Sequence, residues 1–412
     1  MNIEQDRLES RIVNQVQDIG LSEFRRQALK GLKLKTVIKE SHCSAVQALA
    51  FNLCDAGCRN LFATVGKDQA TIYDDQHMSD HIAVVASLSL SDGIEQAQDA
   101  FQVCCWVNCS GLSRHPYGDA LLAVAGSDPH IHIISVAEAA AVAQLPLPPG
   151  ASAVELSAAA EQPGLLLVLC RDGTLQLWQV ASGLCCCSIQ TDAFAVVLHP
   201  QGHYAITSSR TGKPSSWDLQ PVLHAAAQVA AAAAAAAGSD PSSGDVEEPA
   251  AAAAALAAAA AAVVKSPLQL EQCGLEGSAV DCMRFLTGDT LAAKTADGRM
   301  AVLQLPSGKR LSSWRIPGCS HSTASYSSRC CFGHTRDGQY ICVGNHNAAA
   351  YVFDTLTGSQ LARVEAIKVQ GSVRAAGLSE DCRHLVMVAG SGYVFRFEHT
   401  PAAGAAAAEE QL

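Results

Sequence analysis

A tight-turn signature recurs seven times along this chain, each time between two apolar runs. The clearest copy is Leu165–Val180, LLLVLCRDGTLQLWQV. The apolar run Leu165–Cys170 meets Arg171-Asp172-Gly173, and Thr174–Val180 leads away with Trp178 near its end. Asp-Gly between two apolar runs predicts a hairpin, because Gly takes the positive φ that the turn needs. Corresponding turns fall at Gly66, Gly126, Asp172, Gly212, Asp297, Asn345 and Ser391, with gaps of 60, 46, 40, 85, 48 and 46 residues. One four-stranded propeller blade takes about 40–45 residues. The 85-residue gap is long by the length of the Ala-rich stretch 225–264, and a longer polar loop over Asp74–Asp99 accounts for the 60-residue gap. The predicted fold is therefore all-β: a seven-bladed WD-repeat β-propeller with a low-complexity Ala-rich insertion between blades four and five. A lone hairpin is marginal in water, whereas stacked blades share one continuous core.

The ring is expected over 32–398. Leu32–Ile38 (LKLKTVI) alternates at period 2 and reads as a strand. Placed ahead of the first repeat, it can complete the last blade and close the ring without an exposed edge. Residues 1–31 form a polar arm, in which Ile12, Val13, Val16, Ile19, Leu21 and Phe24 are spaced for either a short amphipathic helix or a mobile segment. The tail 399–412 is expected to be disordered. Ala favours helix, but 225–264 carries no patterned apolar face, so it reads as an inserted loop of fluctuating helicity, with a helical hairpin on the rim as the alternative. Asp172, Gly173, Asp297 and Gly298 are turn residues, while Trp178, Trp217-Asp218 and Asp354 are repeat-closing positions. Phe51, Phe101, Trp106, Trp178, Trp217, Phe285, Phe353 and Phe397 are expected in the blade cores.

The formal net charge of -11 argues against direct nucleic-acid binding and suits basic partners such as histone tails. No apolar run has the length and composition of a membrane span, and the N-terminus has no secretory apolar region. The 17 cysteines include the adjacent groups Cys104-Cys105, Cys185-Cys186-Cys187 and Cys330-Cys331, which suit a reducing cytosolic or nuclear compartment. Cys54 and Cys58 lack a second pair of ligands, so no metal is expected. Nucleophile-elbow, P-loop, dinucleotide and HExxH patterns are absent, and His115, His199, His346 and His384 fall at blade turns. No catalytic residue and no cofactor are expected. The reading is a rigid platform whose loops and faces bind other chains.

Several stretches carry a more specific resemblance. SHCSAVQALAFN followed by NLFATVG (Ser41–Gly66) and Phe101–Trp106 followed by LLAVAGSDPHIHIISV resemble the first two repeats of the embryonic ectoderm development / extra sex combs / FIE family. AVDCMRFLTGD (within Gly277–Ala292), the YVFD ending at Asp354 and the GYVFRF ending at Phe397 resemble its fifth, sixth and seventh repeats. The resemblance implies a nuclear, noncatalytic scaffold subunit of a Polycomb-type histone H3 lysine methyltransferase complex that contributes to transcriptional repression. Its implied partners are an Enhancer-of-zeste-like SET-domain methyltransferase and, as a further candidate, the histone H3 tail. The family reads trimethyl-lysine in an aromatic cage, where π faces hold a cation that cannot donate hydrogen bonds. Here the cage positions fall on Gln47, Gln102, and Ser328 with Arg329, with Tyr326 close by. A degenerate peptide-binding site is therefore expected, because Gln supplies no π wall and Arg329 repels a cation. The competing readings are a generic WD-repeat interaction platform in another nuclear or cytoplasmic complex, and an enzyme using the channel mouth.

Overall fold

The computed structural model describes residues 20–400, apart from 43, 77–81, 91–99, 111–117, 238–247, 269–273, 276, 320–324, 327–328 and 368. Its strands form seven four-stranded antiparallel sheets. Each sheet runs in simple up-and-down order, and the first strands of neighbouring blades lie against one another around a central axis. Blade one, for example, comprises Ala48–Phe51, Leu61–Gly66, Gln69–Asp74 and Ala83–Ser89. The chain is a seven-bladed β-propeller.

Closure uses the strand that the sequence indicates. Leu32–Lys39 pairs antiparallel with Tyr393–His399, from Leu32↔His399 to Lys39↔Tyr393, and so becomes the outer strand of blade seven. Its side chains alternate between half-buried and exposed, as an edge strand packed on one face requires.

Seven apolar clusters fill the seven gaps between neighbouring blades. Phe62 and Tyr73 of blade one meet Val386 and Val394 of blade seven; Leu198 of blade four meets Leu167 of blade three. No blade has a private core, so the ring is stable as a unit. Of the aromatic side chains expected in the core, Phe101, Trp106, Trp178, Trp217, Phe285, Phe353 and Phe397 are buried. Phe51 differs: it is half-buried and lines the central channel.

The second-to-third strand turns follow the sequence logic. The Asp172 carboxylate accepts from Thr174 N and Thr174 Oγ1, both at 2.9 Å. Gly173 has φ +88°, and a Cβ there would lie 2.2 Å from Thr191 O. Asp297 accepts from Thr295 Oγ1 at 2.6 Å, and Gly298, at φ +85°, abuts Cys319. Asp354 caps the turn that follows its strand, accepting from Leu356 N at 3.1 Å and Thr357 N at 3.0 Å.

Two expectations need correction. The polar stretch Asp74–Asp99 contains the fourth strand of blade one, Ala83–Ser89, and is not a loop throughout. The Ala-rich stretch enters one strand earlier than expected. After Trp217-Asp218 the chain forms helix α2 (Gln220–Ala237) and helix α3 (Glu248–Ala261), and only then adds Lys265–Pro267 as the fourth strand of blade four. The insertion thus lies within blade four, and the described parts are helical. A docking face exists: Leu219 and Val222 are buried in the cluster between blades three and four, and Leu223, Ala226, Ala259, Ala260 and Val263 pack against it. The Asp218 carboxylate caps α2 by accepting from Gln220 N at 3.0 Å.

Residues 20–30 form helix α1, docked on the rim of blades six and seven. Leu29 is buried in their shared cluster, Arg25 pairs with Asp337, and Arg26 lies 3.2 Å from Asp354. The remainder of the N-terminal arm and residues 401–412 lie outside the described residues.

Candidate functional site

First strands begin and second strands finish at one end of the central channel. Antiparallel pairing brings these ends together: Arg171, just after the second strand of blade three, donates its backbone N–H to Ser152 O, just before that blade's first strand. Around this mouth stand Gln47 of blade one, Gln102 of blade two, Arg171 of blade three, Tyr326 and Arg329 ahead of blade six, and Arg374 of blade seven. They line one cavity of about 430 Å³, whose inner wall includes Leu49, Phe51, Trp106, Leu156 and Leu378. Four of the five residues expected at the degenerate cage therefore converge. The fifth, Ser328, lies outside the described residues.

The chemistry at the mouth is not that of an aromatic cage. Tyr326 has an aromatic companion, Phe194, with ring centroids 4.7 Å apart. The Arg329 guanidinium lies 4.5 Å from the Tyr326 centroid and 4.7 Å from that of Phe194. Arg210 lies 4.6 Å from Phe194 and 5.7 Å from Tyr326, and Arg171 lies 5.5 Å from Tyr326. Three guanidiniums already occupy the cation-binding faces of this ring pair. The two glutamines also face arginine: Arg374 Nη1 donates to Gln47 Oε1 at 2.6 Å, and Arg171 Nη2 donates to Gln102 Oε1 at 3.3 Å.

Glu155 anchors the arrangement from below. Its carboxylate is buried and accepts from Arg284 at 3.1 Å, Arg329 at 3.3 Å and Val196 N at 3.1 Å. Among the described lining residues, four guanidiniums (Arg171, Arg284, Arg329 and Arg374) face one carboxylate, Glu155. Burial holds the His334 imidazole below its ordinary pKa, so it adds no charge at neutral pH. The described lining carries a positive excess inside a chain of net charge -11.

Sequence reasoning named Arg329 but missed Arg171, Arg210, Arg284, Arg374, Phe194 and Glu155, although a signal for two of the arginines was present. Arg171 and Arg210 each follow directly on the second strand of their blade, Leu165–Cys170 and Tyr204–Ser209. The repeat register alone places both at the same mouth. Among the described residues, no three His, Cys, Asp or Glu side chains are grouped to hold a metal ion. No helix among them is long and apolar enough to cross a membrane.

Neither the protein-family models nor the curated proteins give a match to this sequence. The fold defines the class: a WD-repeat-like seven-bladed propeller, an architecture suited in general to scaffolding and protein interaction.

Proposed function

We propose that this chain is a noncatalytic scaffold that assembles a Polycomb-type histone H3 lysine methyltransferase in the nucleus, with an Enhancer-of-zeste-like SET-domain subunit as its partner and transcriptional repression as the outcome. The observation that carries the scaffold role is the closed ring, whose last blade is completed by Leu32–Lys39 and which presents loops on two faces. The choice of partner is supported by the residue resemblance in repeats one, two, five and six. Trimethyl-lysine reading is left out of the proposal. Arg171, Arg210 and Arg329 lie over the Tyr326 and Phe194 rings, and a trimethylammonium would have to displace them against like charge.

Affinity purification of the full chain from nuclear extract tests this reading. A SET-domain methyltransferase is the expected major partner. Its consistent absence, with another assembly recovered instead, would leave the generic interaction platform as the function.

A further inference from the structure

The positive excess at the channel mouth has no use in scaffolding through the outer loops. We propose that the mouth formed by Arg171, Arg210, Arg329 and Arg374, with Gln47 and Gln102, binds a phosphate monoester. Three observations lead there. First, the described lining carries four guanidiniums against one carboxylate, and Glu155 is already shared between Arg284 and Arg329. The acid beside Arg171, Asp172, directs its carboxylate oxygens to Thr174. Second, Arg329 is 8% exposed, lines the cavity, and has an Nε with no hydrogen-bond partner. A buried guanidinium N–H without an acceptor is costly, and an oxyanion in the cavity is the group that would satisfy it. Third, Arg171 donates to the neutral amide oxygen of Gln102, and one contact of Arg374 is likewise to the neutral amide oxygen of Gln47. Planar guanidiniums recognise oxyanions through paired hydrogen bonds, and a neutral amide is the weaker acceptor.

Phosphate is favoured over carboxylate by charge. A phosphate monoester carries about -1.5 to -2 at neutral pH and offers three strong acceptor oxygens. That matches several converging guanidiniums better than a single carboxylate does. The apolar wall of Leu49, Phe51, Trp106 and Leu156 would receive the body that bears the phosphate. The same group can arrive on a phosphorylated peptide or on a free small phosphate.

The test is calorimetric titration of the full chain with three probes: phenyl phosphate, a phosphoserine peptide, and the same peptide unphosphorylated. At least one phosphate probe is expected to bind, and the bare peptide is not. Arg171→Gln and Arg374→Gln should each weaken binding about tenfold, the size expected for one charge-assisted contact. Melting temperatures should be unchanged, and added salt should weaken binding in parallel. Arg210→Gln, an exposed position, serves as a second variant should Arg374→Gln perturb folding. Binding by phenyl phosphate assigns the site to a small phosphate monoester, and binding by the phosphopeptide alone assigns it to a modified chain. Failure of both phosphate probes at submillimolar concentration overturns the proposal. So does binding that is indifferent to the substitutions at both Arg171 and Arg210.

Discussion

Asp75→Ala should unlatch the joint at which the ring closes. Asp75 follows the third strand of blade one, and its side chain is fully buried. Arg396, on the third strand of blade seven, donates from Nε to Asp75 Oδ1 at 3.0 Å and from Nη2 to the Asp75 carbonyl at 2.9 Å. His384 Nδ1 lies 2.9 Å from Asp75 Oδ2. Removing the carboxylate leaves a buried guanidinium whose described contacts include Glu398, 3.5 Å away and partly exposed, and His384 Nε2 at 3.1 Å. Breaking a buried pair on one side costs about 3–5 kcal/mol, and the residual contact with Glu398 points to the lower end. At about 2.1 cal/mol/K per residue across the ring, a loss of about 3 kcal/mol lowers Tm by about 4 °C. Scanning calorimetry of the wild type, Asp75→Ala and the double variant Asp75→Ala/Arg396→Met measures this. The double variant should be more stable than the single one, because it buries no uncompensated charge. A single-variant shift below about 1 °C, or a double variant that is no better than the single, would refute the reasoning.

Three further outcomes follow from the same geometry. Deleting residues 1–39 removes the outer strand of blade seven and the docked helix, and should lower Tm markedly and expose the edge of Tyr393–His399; an unchanged Tm would count against closure by that strand. Replacing 228–262 with a short Gly-rich linker keeps Val222 and Lys265–Pro267, and should leave a single cooperative transition by scanning calorimetry; its loss would make the helices part of the ring's core. Burial alone would raise the Asp337 carboxyl, but Thr335, Gln339 N and Arg25 together hold it below its ordinary value of about 3.9. The folded state therefore binds fewer protons, so this stabilisation is present above that value and lost as pH falls through the lower folded one. The Tm gap between wild type and Asp337→Asn should be largest at neutral pH and shrink in acid; a gap that grows in acid would reverse the assignment.

The parts of the fold that could be read in the sequence are those governed by local rules. Asp172-Gly173 and Asp297-Gly298 mark turns because a positive φ and a close approach both demand Gly. Leu32–Lys39 is legible because its alternation survives at an edge. The outer strands were harder to see. Ala83–Ser89 leaves Val84 59% exposed, and Lys265–Pro267 is three residues long, so neither carries a clear apolar pattern. The family resemblance groups Gln47, Gln102, Tyr326 and Arg329 as one site. Repeat register also places Arg171 and Arg210 at that mouth, directly after the second strands of their blades; their stacking on Tyr326 and Phe194 is set by ring closure, which no local pattern reports.

The most direct measurement is calorimetric titration of the full chain with a histone H3 peptide bearing trimethyl-lysine. With Arg329 and Arg210 stacked on Tyr326 and Phe194, the mouth is closed to cations, and no binding is expected at submillimolar peptide. A micromolar Kd that is lost on Tyr326→Ala would contradict the account, because it would mean that the rings, and not the arginines, define what this mouth recognises.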